Sequence, residues 1–345
     1  MTDFRTAASV EDIVAEMSKV VVGQHRVIER MVVCLLARGH CLLESVPGLA
    51  KTLAVDTLSK TVGGTFARVQ FTPDLLPSDI TGTRVYRGSS ERFDVELGPI
   101  FVNFLLADEI NRAPAKVQSA LLEVMAEHQV TIGGITHQVP DPFLVMATMN
   151  PIESEGVYQL PDAQRDRFLM KVVLGYPSHH EEMSIVERMT VRAPQASQVL
   201  DLESLRQLQD RTDAVAVDHS VVRYAVDLVH ATRDPARHHL ADLVPYVAVG
   251  VSPRASIGLI RAAKALAVVR GRTYATPQDV FEVAPEVLRH RLGLSYEALA
   301  RDVGVEQVLQ RILSTVPAAF VQPPNWQAPA NGTAAPGLPV VGGAA

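Results

Sequence analysis

The sequence lacks most of the features that mark specialised protein classes. Only two of its 345 residues are cysteine, Cys34 and Cys41. Two thiols cannot build a disulfide framework. On an expected helix and the strand after it they read as small buried hydrophobes rather than a metal or redox pair. No uninterrupted apolar run approaches the roughly 18 residues of a membrane span. Met1 to Ser9 is polar and lacks the apolar segment of a secretory signal. Positive charge is not in excess either. The 32 Lys and Arg are outnumbered by 38 Asp and Glu, giving a formal net charge of −6, which does not favour a general nucleic-acid-binding surface. A cytoplasmic protein is the expectation that these absences leave. What the chain has is apolar content, 47% against 20% charged, over a length that supports two domains with sizeable cores.

The organising stretch is Leu42-Leu43-Glu44-Ser45-Val46-Pro47-Gly48-Leu49-Ala50-Lys51-Thr52. It reads as an apolar strand, a tight turn, and a helix opened by Lys-Thr. In such a loop, backbone N–H groups and the helix N-terminus cradle phosphates, Lys51 neutralises the outer ones and the Thr52 hydroxyl reaches Mg²⁺. The usual glycines of the pattern are replaced by Ser45 and Ala50.

Around this loop the chain alternates strand and helix. Ser9 reads as the cap of a first helix and His25 to Arg38 as a second. The helix after the loop covers about Ala50 to Val62, and Thr65 to Phe71 is a strand. The turn-rich segment Thr72 to Gly82 is expected to stay out of regular helix because of its prolines. Hairpins are expected around Gly88-Ser89-Ser90 and Gly133-Gly134. Buried strands end at Asp108 and Asn150, and Leu169 to Leu174 is a further core strand. This alternation argues a three-layer αβα core with a parallel sheet over residues 1–177. From Ser178, which forms a capping box with Glu181, only helical patterns follow, so 178–320 reads as an all-α lid. Its expected helices include 254–270, 277–291 and 295–315. Residues 321–345 are Pro/Ala/Gly-rich and read as a disordered tail.

Nucleotide hydrolysis needs a phosphate cradle, a metal, a group to position water, and a cation for transition-state charge. Asp108 ends a buried strand at the edge where open α/β sheets bind ligands, and a carboxylate there can hold Mg²⁺. Glu109, beside it, can orient and deprotonate water. Asn150 ends the next core strand; it can touch the outer phosphate, or it can serve only as an Asn-Pro turn with Pro151.

Taken together these residues resemble the AAA+ ATPases, and within them the MoxR family. The resemblance spans roughly residues 10 to 320. It rests on Val22-Gly23-Gln24, Pro47 to Thr52, Phe71 to Asp79, Gly98-Pro99-Ile100, Leu106 to Pro114, Ala147 to Pro151, Leu160 to Phe168 and Ser252 to Ala255. Ala50 belongs to this family's form of the loop and Ser45 departs from it; a position needing φ > 0 would cost Ser on the order of 1 kcal/mol. The resemblance implies that Val46 to Thr52 bind ATP and that Val22, Gly23 and Gln24 line the adenine pocket. Lys51 and Thr52 would be the Walker A pair and Asp108 and Glu109 the Walker B pair, with Thr52 and Asp108 on Mg²⁺. Asn150 would be the sensor-1 residue. Arg254 would be the sensor-2 arginine, reaching the γ-phosphate from the lid, or an ordinary residue of a helix start. Arg167 would be the finger acting on a neighbour's nucleotide, or a salt-bridge partner of Asp162 or Asp166; Arg165 and Arg112 are alternatives. The segment from Phe71 to Gly98 resembles the helix-2 insert and the 129–139 hairpin the pre-sensor hairpin, both placed toward a ring's pore in family members.

The resemblance further implies a homo-oligomeric ring, a hexamer, with chaperone-like remodelling of a client and a von Willebrand factor A domain protein as partner. A magnesium-chelatase-type motor shares the hairpin inserts and stands as the alternative. A nucleotide-gated scaffold with little turnover, favoured only by Ser45, is another. A nucleic-acid motor would need basic pore loops, and the 129–139 hairpin offers only His137.

Overall fold

The computed structural model describes residues 5–46, 48–88, 91–150, 157–191 and 194–318. Two helices lead in, α1 (Arg5–Val20) and α2 (His25–Leu36). Ser9 lies inside α1 instead of capping it. β1 (Cys41–Ser45) then runs into the phosphate loop and α3 (Lys51–Thr61), followed by β2 (Phe66–Gln70). A short helix α4 (Pro77–Thr81) interrupts the turn-rich segment where none was expected. Proline is tolerated at its first position because that N–H has no intrahelical partner, and the Asp79 carboxylate accepts the Leu76 N–H at 2.7 Å. The first hairpin is β3 (Gly82–Arg87) with β4 (Arg92–Leu97). β5 (Phe104–Asp108) and α5 (Ala115–Glu127) precede the second, β6 (Gln129–Ile132) with β7 (Ile135–Gln138), whose Gly133-Gly134 turn holds both glycines at positive φ. β8 (Leu144–Met149), α6 (Asp162–Arg165) and β9 (Met170–Leu174) complete the core.

Five strands form one parallel sheet in the order β2-β5-β8-β1-β9. Side chains alternate across it, so each face feeds its own core. Leu42, Leu105, Ala107, Val145 and Ala147 pack with Leu121, Leu122 and Met125 of α5. Cys41, Leu43, Leu106 and Met146 face the other way, toward α1, α2 and α3. Both cysteines are buried free thiols in that second core.

After β9 comes α7 (His179–Val191), capped by Ser178 and Glu181 as the spacing predicts. The lid follows as α8 (Leu202–Asp213), α9 (His219–Arg233), α10 (Pro253–Val269), α11 (Pro277–Leu288), α12 (Tyr296–Ala300) and α13 (Val305–Thr315). Two small strand pairs join it, Ala216–Val217 with Tyr274–Ala275 and Val247–Val249 with Gly293–Leu294. The single helix expected over 295–315 is two: Asp302 at φ 55 ends the first, and Gly304 sits at the N-cap of the second. The lid docks on the core through α10 against α2 and α11 against β9. A buried ion cluster crosses this seam. Glu286 of α11 accepts from Arg26 of α2 at 2.7 Å and lies 3.6 Å from the guanidinium of the almost fully buried Arg30. Among the described residues no helix is long and apolar enough to cross a membrane.

Candidate nucleotide site

Parallel strands put their C-terminal ends on one edge, and the loop residues gather there. In the register Ser45 lies opposite Leu174, Glu44 opposite Met149, and Gln70 opposite Asp108. That aligns the phosphate loop with Asp108 and with Asn150, the residue after β8. Lys51 begins α3, so it and Thr52 stand at a helix N-terminus. Gly48 has φ 85 and Ala50, the helix N-cap, φ 53. Ser45 is still in β1, where its backbone is paired and its Oγ donates to the Val46 carbonyl at 3.0 Å. The φ > 0 penalty considered for Ser45 therefore does not arise there; the strained non-glycine position is Ala50. Pro47 lies outside the described residues.

The acidic pair is held by side chains that local sequence reading does not single out. Thr148 of β8 donates to Asp108 Oδ1 at 2.6 Å, and its Oγ1 accepts the Glu109 N–H at 2.8 Å. Arg68 of β2 grips Asp108 Oδ2 at 2.6 and 3.1 Å. Gln70 donates to Glu109 Oε2 at 2.7 Å, and Arg112 donates to the same oxygen at 3.0 Å. Arg112 is thus engaged within its own chain. Glu109 itself has φ 56, which turns its carboxylate back toward β2. Asn150 is 5% exposed and is engaged by neighbours. A hydroxyl and a largely buried carboxylate at one edge are hard oxygen donors of the kind Mg²⁺ takes alongside phosphate oxygens. Among the described residues no group of three or more His, Cys, Asp or Glu is placed to hold a metal ion, so a metal here would complete its shell from phosphate and water. Val22-Gly23-Gln24 reaches the same edge. Gln24 Nε2 donates to the Gly175 carbonyl at 3.4 Å, and Glu181 fills the space where a side chain at Gly23 would stand.

Arg167 and Arg254 are at the other edge. Cys41, the first residue of β1, pairs with Met170, and the Leu169 N–H donates to the His40 carbonyl at 2.8 Å. The segment that carries Arg167 therefore lies where β1 begins, a strand length of roughly 13 Å from where the phosphate loop leaves. Arg254, at the start of α10, stands 3.7 Å from Asp166 and lines the same cleft of about 420 Å³ as Arg167 and His40. Neither arginine faces the phosphate loop of its own chain. The salt bridges weighed for Arg167 go elsewhere: Asp162 pairs with Arg165 and Asp166 with Arg291, while Arg167 donates to the Leu122 carbonyl. His40 forms the cleft's floor. Burial pushes its imidazole down to about 4, and as a neutral ring it hydrogen-bonds the Met125 carbonyl and accepts the Val145 N–H, each at 3.0 Å.

Comparison with known proteins gives the family and the fold. The family model for the ATPase family associated with various cellular activities matches residues 40–170, and that for the AAA lid domain matches 242–312. The chain is 58% identical to chaperone MoxR1 of Mycobacterium tuberculosis over 308 residues, 89% of this chain and 82% of that one. It is 44% identical to the uncharacterised protein YeaC of Bacillus subtilis, over 88% of this chain and 92% of that one. The crystal structure of a Cytophaga hutchinsonii protein assigned as an ATPase superposes with a TM-score of 0.87 at 44% identity, covering 92% of this chain and 96% of the other. With a parallel-sheet core, a helical lid and extensive identity to a MoxR chaperone, the chain belongs to the MoxR family of AAA+ ATPases.

Proposed function

We propose that the protein hydrolyses ATP with Mg²⁺ at sites shared between neighbouring subunits of a hexameric ring. The observation that carries this reading is the separation of parts across the sheet. Lys51, Thr52, Asp108, Glu109 and Asn150 share one edge, and Arg167 and Arg254 share the opposite one. A chain so arranged completes its constellation with a second copy. Val22 to Gln24 would seat the adenine and Val46 to Thr52 the phosphates. Thr52 and Asp108 would hold Mg²⁺, which when bound neutralises charge on the phosphate oxygens. Glu109, released from Gln70 and Arg112, would take a proton from water as the water oxygen bonds the γ-phosphorus and the bond to ADP breaks. Asn150 would orient that water or the γ-phosphate. The neighbour's Arg167 and Arg254 would stabilise the charge of the transition state. Residues 1–177 and 178–320 would serve as nucleotide core and lid, divided near Gly175–Pro177. The likeness to a chaperone supports remodelling of a client complex as the work, and the proposal extends to a von Willebrand factor A domain partner and a cytoplasmic setting.

The test is ATP turnover against protein concentration with Mg²⁺, alongside sizing at each dilution. Specific activity is expected to rise steeply as the ring assembles, and Glu109→Gln to lower it at least a hundredfold at any concentration. Full turnover by a species sized as a monomer would defeat the shared-site reading.

A further inference from the structure

Asp166 sits between the two arginines and is not among the groups that would touch the nucleotide. Its carboxylate is largely buried, at 15% side-chain exposure. Oδ1 accepts from Arg291 Nε at 2.7 Å, and Oδ2 accepts from Ser252 Oγ at 2.9 Å. Both partners come from the lid. Ser252 is the N-cap of α10, its Oγ also accepting the Arg254 N–H at 3.2 Å. Arg291, 4% exposed, reaches past Asp166 to the main chain of the core, donating to the carbonyls of Asp166, Phe168 and Leu169 at 3.2, 2.5 and 3.2 Å. One carboxylate thus fixes the residue before Arg167 and the helix start that carries Arg254.

We infer that Asp166, with Ser252 and Arg291, is a positioning device that locks Arg167 of the core and Arg254 of the lid into one preassembled pair, presented together to a neighbouring subunit. The inference rests on the shared-site reading. The charge-assisted bond to Arg291 ties the core loop to the lid, and the bond to Ser252 sets where α10 begins. The Asp166 carboxylate lies 3.7 Å from the Arg254 guanidinium and offsets its charge, while Arg167 is held through the main chain beside it, where Arg291 donates to the carbonyls of Asp166 and Phe168. The separation of the two arginines is then set before nucleotide arrives, which is the geometric precondition for both to meet one phosphoryl group.

The test uses mixed rings. Asp166→Asn keeps the shape and an acceptor for Ser252 but removes the charge that holds Arg291. It is expected to lower kcat at least tenfold while KM, and affinity for a fluorescent ATP analogue under non-hydrolysing conditions, stay within about twofold. Ring size by sedimentation is expected to be unchanged. Asp166→Asn subunits mixed with Glu109→Gln subunits, each impaired alone, are expected to turn over ATP faster than the sum of the two separate rings, because the intact site of one meets the intact arginines of the other. Arg167→Ala mixed with Glu109→Gln runs in parallel. Recovery there without recovery for Asp166→Asn overturns the role of Asp166 and leaves the shared-site reading standing; recovery in neither overturns that reading and this inference with it. A loss of nucleotide affinity matching the loss of kcat also overturns the inference, since general loosening gives that pattern. Should Asp166→Asn fail to assemble, Ser252→Ala carries the same test, with a roughly threefold loss of kcat that Glu109→Gln subunits rescue. An unchanged kcat in Ser252→Ala overturns the proposal.

Discussion

Ala50 is the residue at which the phosphate loop is strained. Its φ of 53 is a conformation that glycine adopts freely and that costs an L-residue on the order of 1 kcal/mol. Ala50→Gly is therefore expected to raise unfolding stability by about 0.5–1 kcal/mol at equal nucleotide concentration, read from denaturant midpoints. A lower midpoint would mean that the methyl group contributes packing that outweighs the backbone term. The same residue shows where sequence reading reaches and where it stops. Asp108 and Glu109 are legible because they end an apolar run, where a buried strand delivers a side chain to the sheet's ligand edge, and Lys51 and Thr52 because they open the helix after the loop that follows such a run. Which of the two glycine replacements carries positive φ is not legible, because that depends on how far β1 continues, and Ser45 is still paired with Leu174. Arg68, Gln70 and Thr148 escape for a related reason. They lie about forty residues from the carboxylates they hold and look like ordinary strand polar groups until the register brings them together. Thr148 alone leaves a trace, a fully buried hydroxyl in an otherwise apolar strand.

Among elements, α5, β8 and the entry to β1 are joined by one imidazole. His40 bonds the α5 carbonyl of Met125 with one ring nitrogen and the β8 N–H of Val145 with the other, which requires the neutral ring. Burial holds its folded pKa near 4, against 6.5 for the unfolded chain. The unfolded state therefore binds the proton first as pH falls. Stability is fully present above pH 6.5, declines between 6.5 and about 4, and levels off below, with a contribution of at most about 3 kcal/mol. Urea midpoints across that window should fall less steeply for His40→Gln than for the native chain; equal slopes would show that His40 is not the group being titrated. His290, which burial also pushes well down, adds to the native slope in the same direction. Most elements are legible as periodicity and capping, the Ser178–Glu181 box and the Gly133-Gly134 turn in particular. The short helix α4 and the break at Asp302 are not, because each is decided by one local backbone choice within a pattern that reads equally well the other way.

At the scale of the whole molecule, Glu286 fastens the lid to the core. It is 1% exposed and bridges Arg26 and the buried Arg30 of α2, so removing its charge takes away the lid's half of the cluster and leaves Arg30 with Glu29 of its own helix, 2.6 Å away. Glu286→Gln is expected to cost about 1–2 kcal/mol and to speed amide exchange across α11 relative to the central strands. A variant that melts as the native chain does would show that the seam is held by apolar contacts alone. The seam also settles one side of the sheet, since α11 lies along β9 and Arg289 donates to the Lys171 carbonyl at 3.3 Å. The opposite margin is β2, which among the described residues pairs only with β5. An unpaired strand margin invites another chain to add to it and so begin aggregation, and brevity and charge are what discourage that. β2 is five residues long and carries Arg68 and Gln70, two of the side chains that hold the acidic pair. Replacing them with apolar residues would therefore affect solubility as well as chemistry.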